Sequence, residues 1–154
     1  FLTTRLLEPN QPAPLRGLEM GGYKLVWKDE PNSYDKGRMG NSGSLNLFYS
    51  LGVNLGRDGA VRGTLWDGPA FDAGIVNGNT IVAVGGVAYS GEVIEEAITA
   101  AKDSAEPIEL LVKRGNTYRT VEIDYHGGLR YPWLEPIGEG ENGLDRFLQP
   151  RTDG

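Results

Sequence analysis

Cysteine is missing altogether and histidine occurs once, as His126, in a chain of 154 residues. Without cysteine there is no disulfide framework, thiolate zinc site, iron–sulfur cluster or cysteine nucleophile. One imidazole cannot make a multi-histidine metal centre, and no HExxH occurs. Positive charge is also short: 15 Lys and Arg face 21 Asp and Glu, a net charge of −6. That balance argues against a nucleic-acid binder, which needs a basic face to neutralise phosphate. No apolar run approaches the roughly 18 residues a membrane span requires. No charged-then-apolar leader opens the chain. Residue 1 is Phe, from which a piece of something longer is expected. The lack of cysteine suits cytoplasm or periplasm and selects neither.

Glycine, by contrast, is abundant, at 23 residues, about twice the usual share of roughly 7%. Turns should therefore dominate. Residues 1–21 read as a Pro-rich connector with one helical turn around Leu15–Glu19, and Tyr23–Lys28 alternates as a strand. The polar, Gly-rich stretch Asp29–Ser44 reads as a long loop. Leu45–Val53 is an apolar run, and the Arg57-Asp58-Gly59 turn joins it to Ala60–Trp66 in a hairpin. Pro69–Gly74 fits a one-to-two-turn helix, and Thr80–Val84 a short strand before the Gly85-Gly86 turn. Ser90 is a good N-cap for a long helix over 91–102, with Ile94, Ile98 and Ala101 on its core stripe. Pro107–Lys113 and Thr117–Tyr125 pair through Gly115-Asn116. From Gly127 to Gly154 no period is visible, so an extended wrap or a disordered end is expected. Many short strands and two helices predict a mainly β fold, a partly open antiparallel barrel or sandwich capped by one short and one long helix.

The candidate site is Ser50-Leu51-Gly52-Val53, an apolar-Gly-apolar loop opening a strand. Consecutive N–H groups of Leu51, Gly52 and Val53 can point into one concavity and bind a carboxylate. The strand 53–56, with Asn54 and Leu55, then offers an open edge to which an extended peptide adds. Val93 and Ala97, rotated from the core stripe of the long helix, are expected as the opposite wall. The plain alternative for the loop is an ordinary turn entering a strand.

The run Tyr49–Gly56, then Asp67-Gly68-Pro69-Ala70-Phe71-Asp72-Ala73-Gly74-Ile75 and Asn77-Gly78-Asn79-Thr80-Ile81-Val82-Ala83-Val84-Gly85-Gly86, resembles bacterial PDZ domains. In those a "SPA-x-x-AGL-x-x-GD-x-I-x-x-V-x-G" pattern follows the carboxylate loop. The match spans 45–125, with Asn79 where Asp is usual and Gly86 where Asn-Gly is more common. The flanks, Arg16–Val26 and Asp124–Pro132, are similar to the C-terminal part of the glycyl aminopeptidase family of zinc metallopeptidases. There a gluzincin-type catalytic domain precedes a PDZ domain. The resemblance implies a PDZ domain over 22–126, a connector over 1–21 and a tail over 127–154. It implies zinc in the parent's catalytic domain and no cofactor, and no catalysis, in this fragment. Its partners would be a peptide or protein C-terminus, or its own tail, and the parent catalytic domain, with no nucleic acid and no membrane span.

Two functions follow from the resemblance and the loop together. One is a peptide-binding module. The other is a scaffold whose groove is filled by the chain's own tail, 127–154, or by the 29–44 loop. Whether Tyr23–Lys28 or Thr117–Tyr125 lies beside the carboxylate loop is open, because bacterial PDZ domains are often permuted. Other signals mislead. Gly40-Asn41-Ser42-Gly43-Ser44 looks like a trypsin-like nucleophile turn, but no His precedes it to serve as base. His126 near Asp124 lacks a nucleophile or metal partner. The Gly37-x-x-Gly40-x-x-Gly43 spacing lacks the Lys of a phosphate loop.

Overall fold

The computed structural model describes residues 15–138. Two compact units emerge from the chain contacts, one running Trp27–Pro132 and the other combining residues before and after it. In the smaller unit, helix α1 (Arg16–Met20) buries no side chain. Strand β1 (Tyr23–Lys28) pairs with β9 (Tyr131–Pro136), supported by a Lys24–Glu135 ion pair at 3.6 Å. The tail expected to lack regular structure thus contributes a strand, although its residues beyond 138, like 1–14 of the connector, lie outside the described residues. Pro132 and Pro136 hid it, since proline is depleted from strands and tolerated where it need not donate.

The larger unit is more helical at its start than its sequence predicts. The expected loop over 29–44 contains helix α2 (Ser33–Ser42). Asn32 caps it by accepting from the Asp35 N–H at 2.9 Å, and Gly43, at φ 62°, ends it with its N–H on the Met39 carbonyl. Gly37 and Gly40 weaken the helical signal by about 1 kcal/mol each relative to alanine. Only Asp35 is buried, so no apolar stripe announces this helix.

Next come β2 (Leu45–Leu47), β3 (Val53–Leu55) and β4 (Val61–Thr64), an antiparallel sheet in the order β2-β3-β4. The β3–β4 hairpin turns at Arg57-Asp58 as expected, with a register shift between Asn54 and Leu55. Helix α3 (Pro69–Asp72) starts on proline, whose fixed φ suits a first helical position. Strands β5 (Thr80–Val84), β6 (Val87–Ala88), β7 (Ile108–Arg114) and β8 (Thr117–Ile123) form a second antiparallel sheet, ordered β6-β5-β7-β8. Helix α4 (Gly91–Ala101) is capped by Ser90, which accepts from the Val93 N–H at 3.2 Å.

The architecture is mainly β, with four helices among the described residues rather than two. The sheets stay open instead of closing into a barrel. A bridge between Ala60 and Thr80 ties the two larger sheets, and among the described residues they close no further. Leu47, Leu51, Leu55, Ile75, Ile81, Ile94, Ile98, Leu110 and Ile123 are buried and fill the space between sheets and α4. Alternation along β7 puts Ile108, Leu110 and Val112 inward, as a half-buried strand requires.

Candidate functional site

The Ser50–Val53 loop is buried, Leu51 completely. Gly52 takes φ 78°, a left-handed conformation that side chains rarely adopt. A Cβ there would lie 3.3 Å from Leu65 Cβ and 3.4 Å from Gly68 Cα. The loop itself holds this neighbourhood: Leu65 N–H donates to the Gly52 carbonyl at 2.7 Å, Gly68 N–H donates to the Leu65 carbonyl at 3.2 Å, and Ala70 N–H to the Leu51 carbonyl at 2.9 Å. Ser50 Oγ accepts from the Arg130 N–H at 3.0 Å.

Of the Leu51, Gly52 and Val53 N–H groups expected to share one acceptor, that of Gly52 bonds to a carbonyl, and the second donor is Ser50. Ser50 N–H and Gly52 N–H, at 3.1 and 2.9 Å, both donate to the carbonyl of Leu47. That oxygen belongs to the end of β2. Strand β2 runs antiparallel to β3 with Leu45 opposite Leu55, Asn46 opposite Asn54 and Leu47 opposite Val53. The edge of β3 expected to be open is therefore paired, because β3 lies between β2 and β4. Neither Tyr23–Lys28 nor Thr117–Tyr125 pairs with β3: β1 pairs with β9 and β8 with β7. Leu45-Asn46-Leu47 takes that position. Its two-residue alternation was the available signal, lost inside a longer apolar run.

The helical wall also differs from expectation. Leu45 Cδ2 lies 3.8 Å from where a Cβ on Gly91 would stand, so the flank of α4 that carries Gly91 meets β2. Glu95, one turn on, accepts from the Tyr131 hydroxyl at 3.0 Å. Val93 and Ala97 lie on the other flank, lining a 480 Å³ cleft with Val84, Ala100, Ile108 and Glu109. Periodicity locates the core stripe but is the same for both flanks. Burial raises the Glu95 carboxyl above its ordinary range, the Tyr131 bond lowers it and Glu92 raises it. Tyr131 is itself buried, and burial followed by the Glu95 charge raises its hydroxyl pKa.

One polar atom of β3 is left over. Asn54 Oδ1 is buried with no hydrogen-bond partner. Asn46, opposite it, uses its own Oδ1 to accept from the Phe48 N–H at 3.2 Å.

His126 meets two acceptors, the Ala101 carbonyl at Nδ1 (2.7 Å) and Asp124 Oδ1 at Nε2 (2.8 Å). Both ring nitrogens must donate to satisfy both, which only the imidazolium can do. The Ala101 carbonyl first, then Asp124, raise its pKa. A zinc ligand needs a neutral imidazole with a free lone pair, so this donor set does not fit zinc. Among the described residues no group of three His, Asp or Glu side chains is placed to hold a metal ion. No described helix is long and apolar enough to cross a membrane.

No protein-family model matches the chain, and no curated protein matches its sequence. Among solved structures it is similar to a crystal structure of the HtrA3 PDZ domain bound to a phage-derived ligand (FGRWV). The identity is 16% and the TM-score 0.36, over 73% of this chain and 93% of that one.

Proposed function

We propose that Trp27–Pro132 is a PDZ-like module that receives the end of an extended chain at the Ser50–Val53 loop, within the C-terminal region of a glycyl aminopeptidase-type zinc metallopeptidase. The observation that carries this reading is the convergence of the Ser50 and Gly52 N–H groups on a single oxygen. Two aligned donors in a buried apolar loop form a receptor for an oxygen. A carboxylate would use it better than the carbonyl now there, because charge-assisted bonds are roughly twice as strong as neutral ones. Strand pairing with β3 would supply the remaining main-chain bonds. The peptidase context rests on the flanking motifs, with zinc and catalysis assigned to the parent's catalytic domain.

A scaffold role is the second reading, and β2 favours it. The recognition strand is covered by the chain's own residues, drawn from the segment just after the 29–44 stretch. Tyr131, from the tail, occupies the Glu95 flank of α4. Such a domain would support a catalytic domain without binding peptides.

Titration with one peptide in free-acid and C-terminally amidated forms separates the two. The recognition reading expects saturable binding of the acid and at least about tenfold weaker binding of the amide, the loss of one charge-assisted bond. Equal affinities would remove the carboxylate receptor, and no binding of either would leave the scaffold. Turnover of glycyl substrates by this chain with added zinc would overturn the assignment of catalysis elsewhere.

A further inference from the structure

We propose that Leu45-Asn46-Leu47 is a resident, exchangeable occupant of the recognition strand, so that an incoming chain end binds by displacing β2 from β3. The inference rests on the reading of the Ser50–Val53 loop as a receptor for a chain end.

Strand β2 already makes the contacts such a ligand would make. It runs antiparallel to β3 and toward the loop, and its last carbonyl takes both loop N–H groups. Leu45 and Leu47 are buried on one face, and Asn46 between them is half-buried. A chain end laid on β3 with its carboxylate at the Leu47 oxygen position would run in the same direction. Its last and third-last side chains would fall where Leu47 and Leu45 now sit.

The hold on β2 is limited. It is three residues long and bonded to a strand on one side only. Upstream, only Gly43 and Ser44 connect it to α2. It is also an incomplete partner, because the Asn54 acceptor beneath Asn46 stays unmet. A ligand with a hydroxyl at its second-last residue could donate to that acceptor, which Asn46 does not do. Apolar burial does not forbid the exchange. A ligand with leucine at the same two positions replaces the contacts β2 gives up, so the balance turns on effective concentration. Tethering favours β2, since a short linker holds it at an effective concentration of about millimolar or more. Occupancy from outside then requires a partner held close by, or one that pairs better.

The absence of cysteine allows a direct test. Asn46→Cys with Asn54→Cys places the only two thiols of the chain at facing register positions. Oxidation locks β2 onto β3, and reduction frees it. The probe is acetyl-Ala-Leu-Ala-Leu as free acid and as amide, because the Asn54 acceptor is gone from the double variant, titrated by calorimetry against the 154-residue chain. The reduced protein is expected to bind the acid at least about tenfold more tightly than the oxidised one, the loss of intramolecular competition setting the scale. Equal binding in both redox states would overturn the exchange while leaving the loop as a receptor. Redox-dependent binding of acid and amide alike would keep the exchange and overturn the carboxylate receptor. No binding in the reduced state would overturn the exchange and leave a filled scaffold. Leu47→Gly, which weakens the resident strand without a crosslink, should also tighten binding of the acid by about tenfold. Unchanged affinity in that variant, with cooperative unfolding retained, would count against displacement.

Discussion

The Tyr131 hydroxyl donates to Glu95 Oε1 at 3.0 Å and joins the residue that opens β9 to the middle of α4. Burial raises the Glu95 carboxyl, and this bond is what restrains the rise. In Tyr131→Phe the carboxylate stays half-buried and loses its donor. Its pKa should move further up in an NMR titration, and stability at neutral pH should fall by about 1–2 kcal/mol in urea unfolding. A raised carboxyl in the folded state means the native protein holds its proton more tightly than the unfolded one. The stability it contributes is therefore complete below the ordinary value of 4.5 and lost as pH rises through the folded value. Tyr131→Phe should extend that window to higher pH.

His126 should give stability of the same sign over a different range. Its folded pKa is raised by the Ala101 carbonyl and then by Asp124. The contribution is fully present below the unfolded value of 6.5 and is lost as pH rises through the folded value. Denaturant midpoints measured at pH about 6 and about 9 should differ for the natural chain, and His126→Asn should reduce that difference. An unchanged difference would place the titration elsewhere.

Two glycines should rank clearly by backbone and space. Gly52→Ala forces a left-handed alanine at φ 78°, a cost of about 1–2 kcal/mol, against close neighbours in Leu65 and Gly68. Gly59→Ala, at φ 77°, meets the same backbone penalty and also drives a methyl into the Ile81 carbonyl, which is main chain and cannot swing away. Urea unfolding should show Gly59→Ala as the more damaging, with Gly52→Ala between it and Gly78→Ala, whose Cβ meets nothing within 4 Å.

Asn32 should hold α2 in place by two routes. Its Oδ1 caps the helix through the Asp35 N–H, and its Nδ2 donates to Asp35 Oδ2 and to the Pro132 carbonyl, each at 2.9 Å. Asn32→Ala should cost about 1–2 kcal/mol. Hydrogen exchange should speed up most in the first turn of α2, starting with the Asp35 N–H, which loses its side-chain acceptor. Uniform acceleration across the unit would argue against a local cap.

What could be read from the chain was what its local chemistry decides. Gly115-Asn116, Arg57-Asp58-Gly59 and the Ser90 cap set their turns and helix start within a few residues, and the structure has them there. Helix α2 carries little sequence signal because Gly37 and Gly40 dilute its propensity while Asn32 and Gly43 hold its ends. Strand β2 is hard to separate from β3 in the sequence because Leu45–Val53 reads as one apolar run whose sole turn marker is Gly52. At the candidate site, Gly52 marked a backbone that needs freedom, and its φ of 78° shows that need. Val93 and Ala97 line a cleft with Val84 and Ile108, while the Gly91 flank of α4 meets β2, because what a helix flank meets is decided by distant chain. Glu95 and Tyr131, 36 residues apart, carry no local signal for each other.

The indole of Trp27 packs against Tyr49 at a tilt of 56°, ring centroids 5.1 Å apart, and the Arg130 guanidinium sits 4.7 Å from its ring centre. Tyr49 belongs to the turn just after β2, and Arg130 donates its N–H to Ser50. One fluorophore is thus wired to the piece of chain that must move when β2 is exchanged. Its emission gives a label-free optical readout of that event, and replacing Trp66 and Trp133 by phenylalanine would isolate the signal.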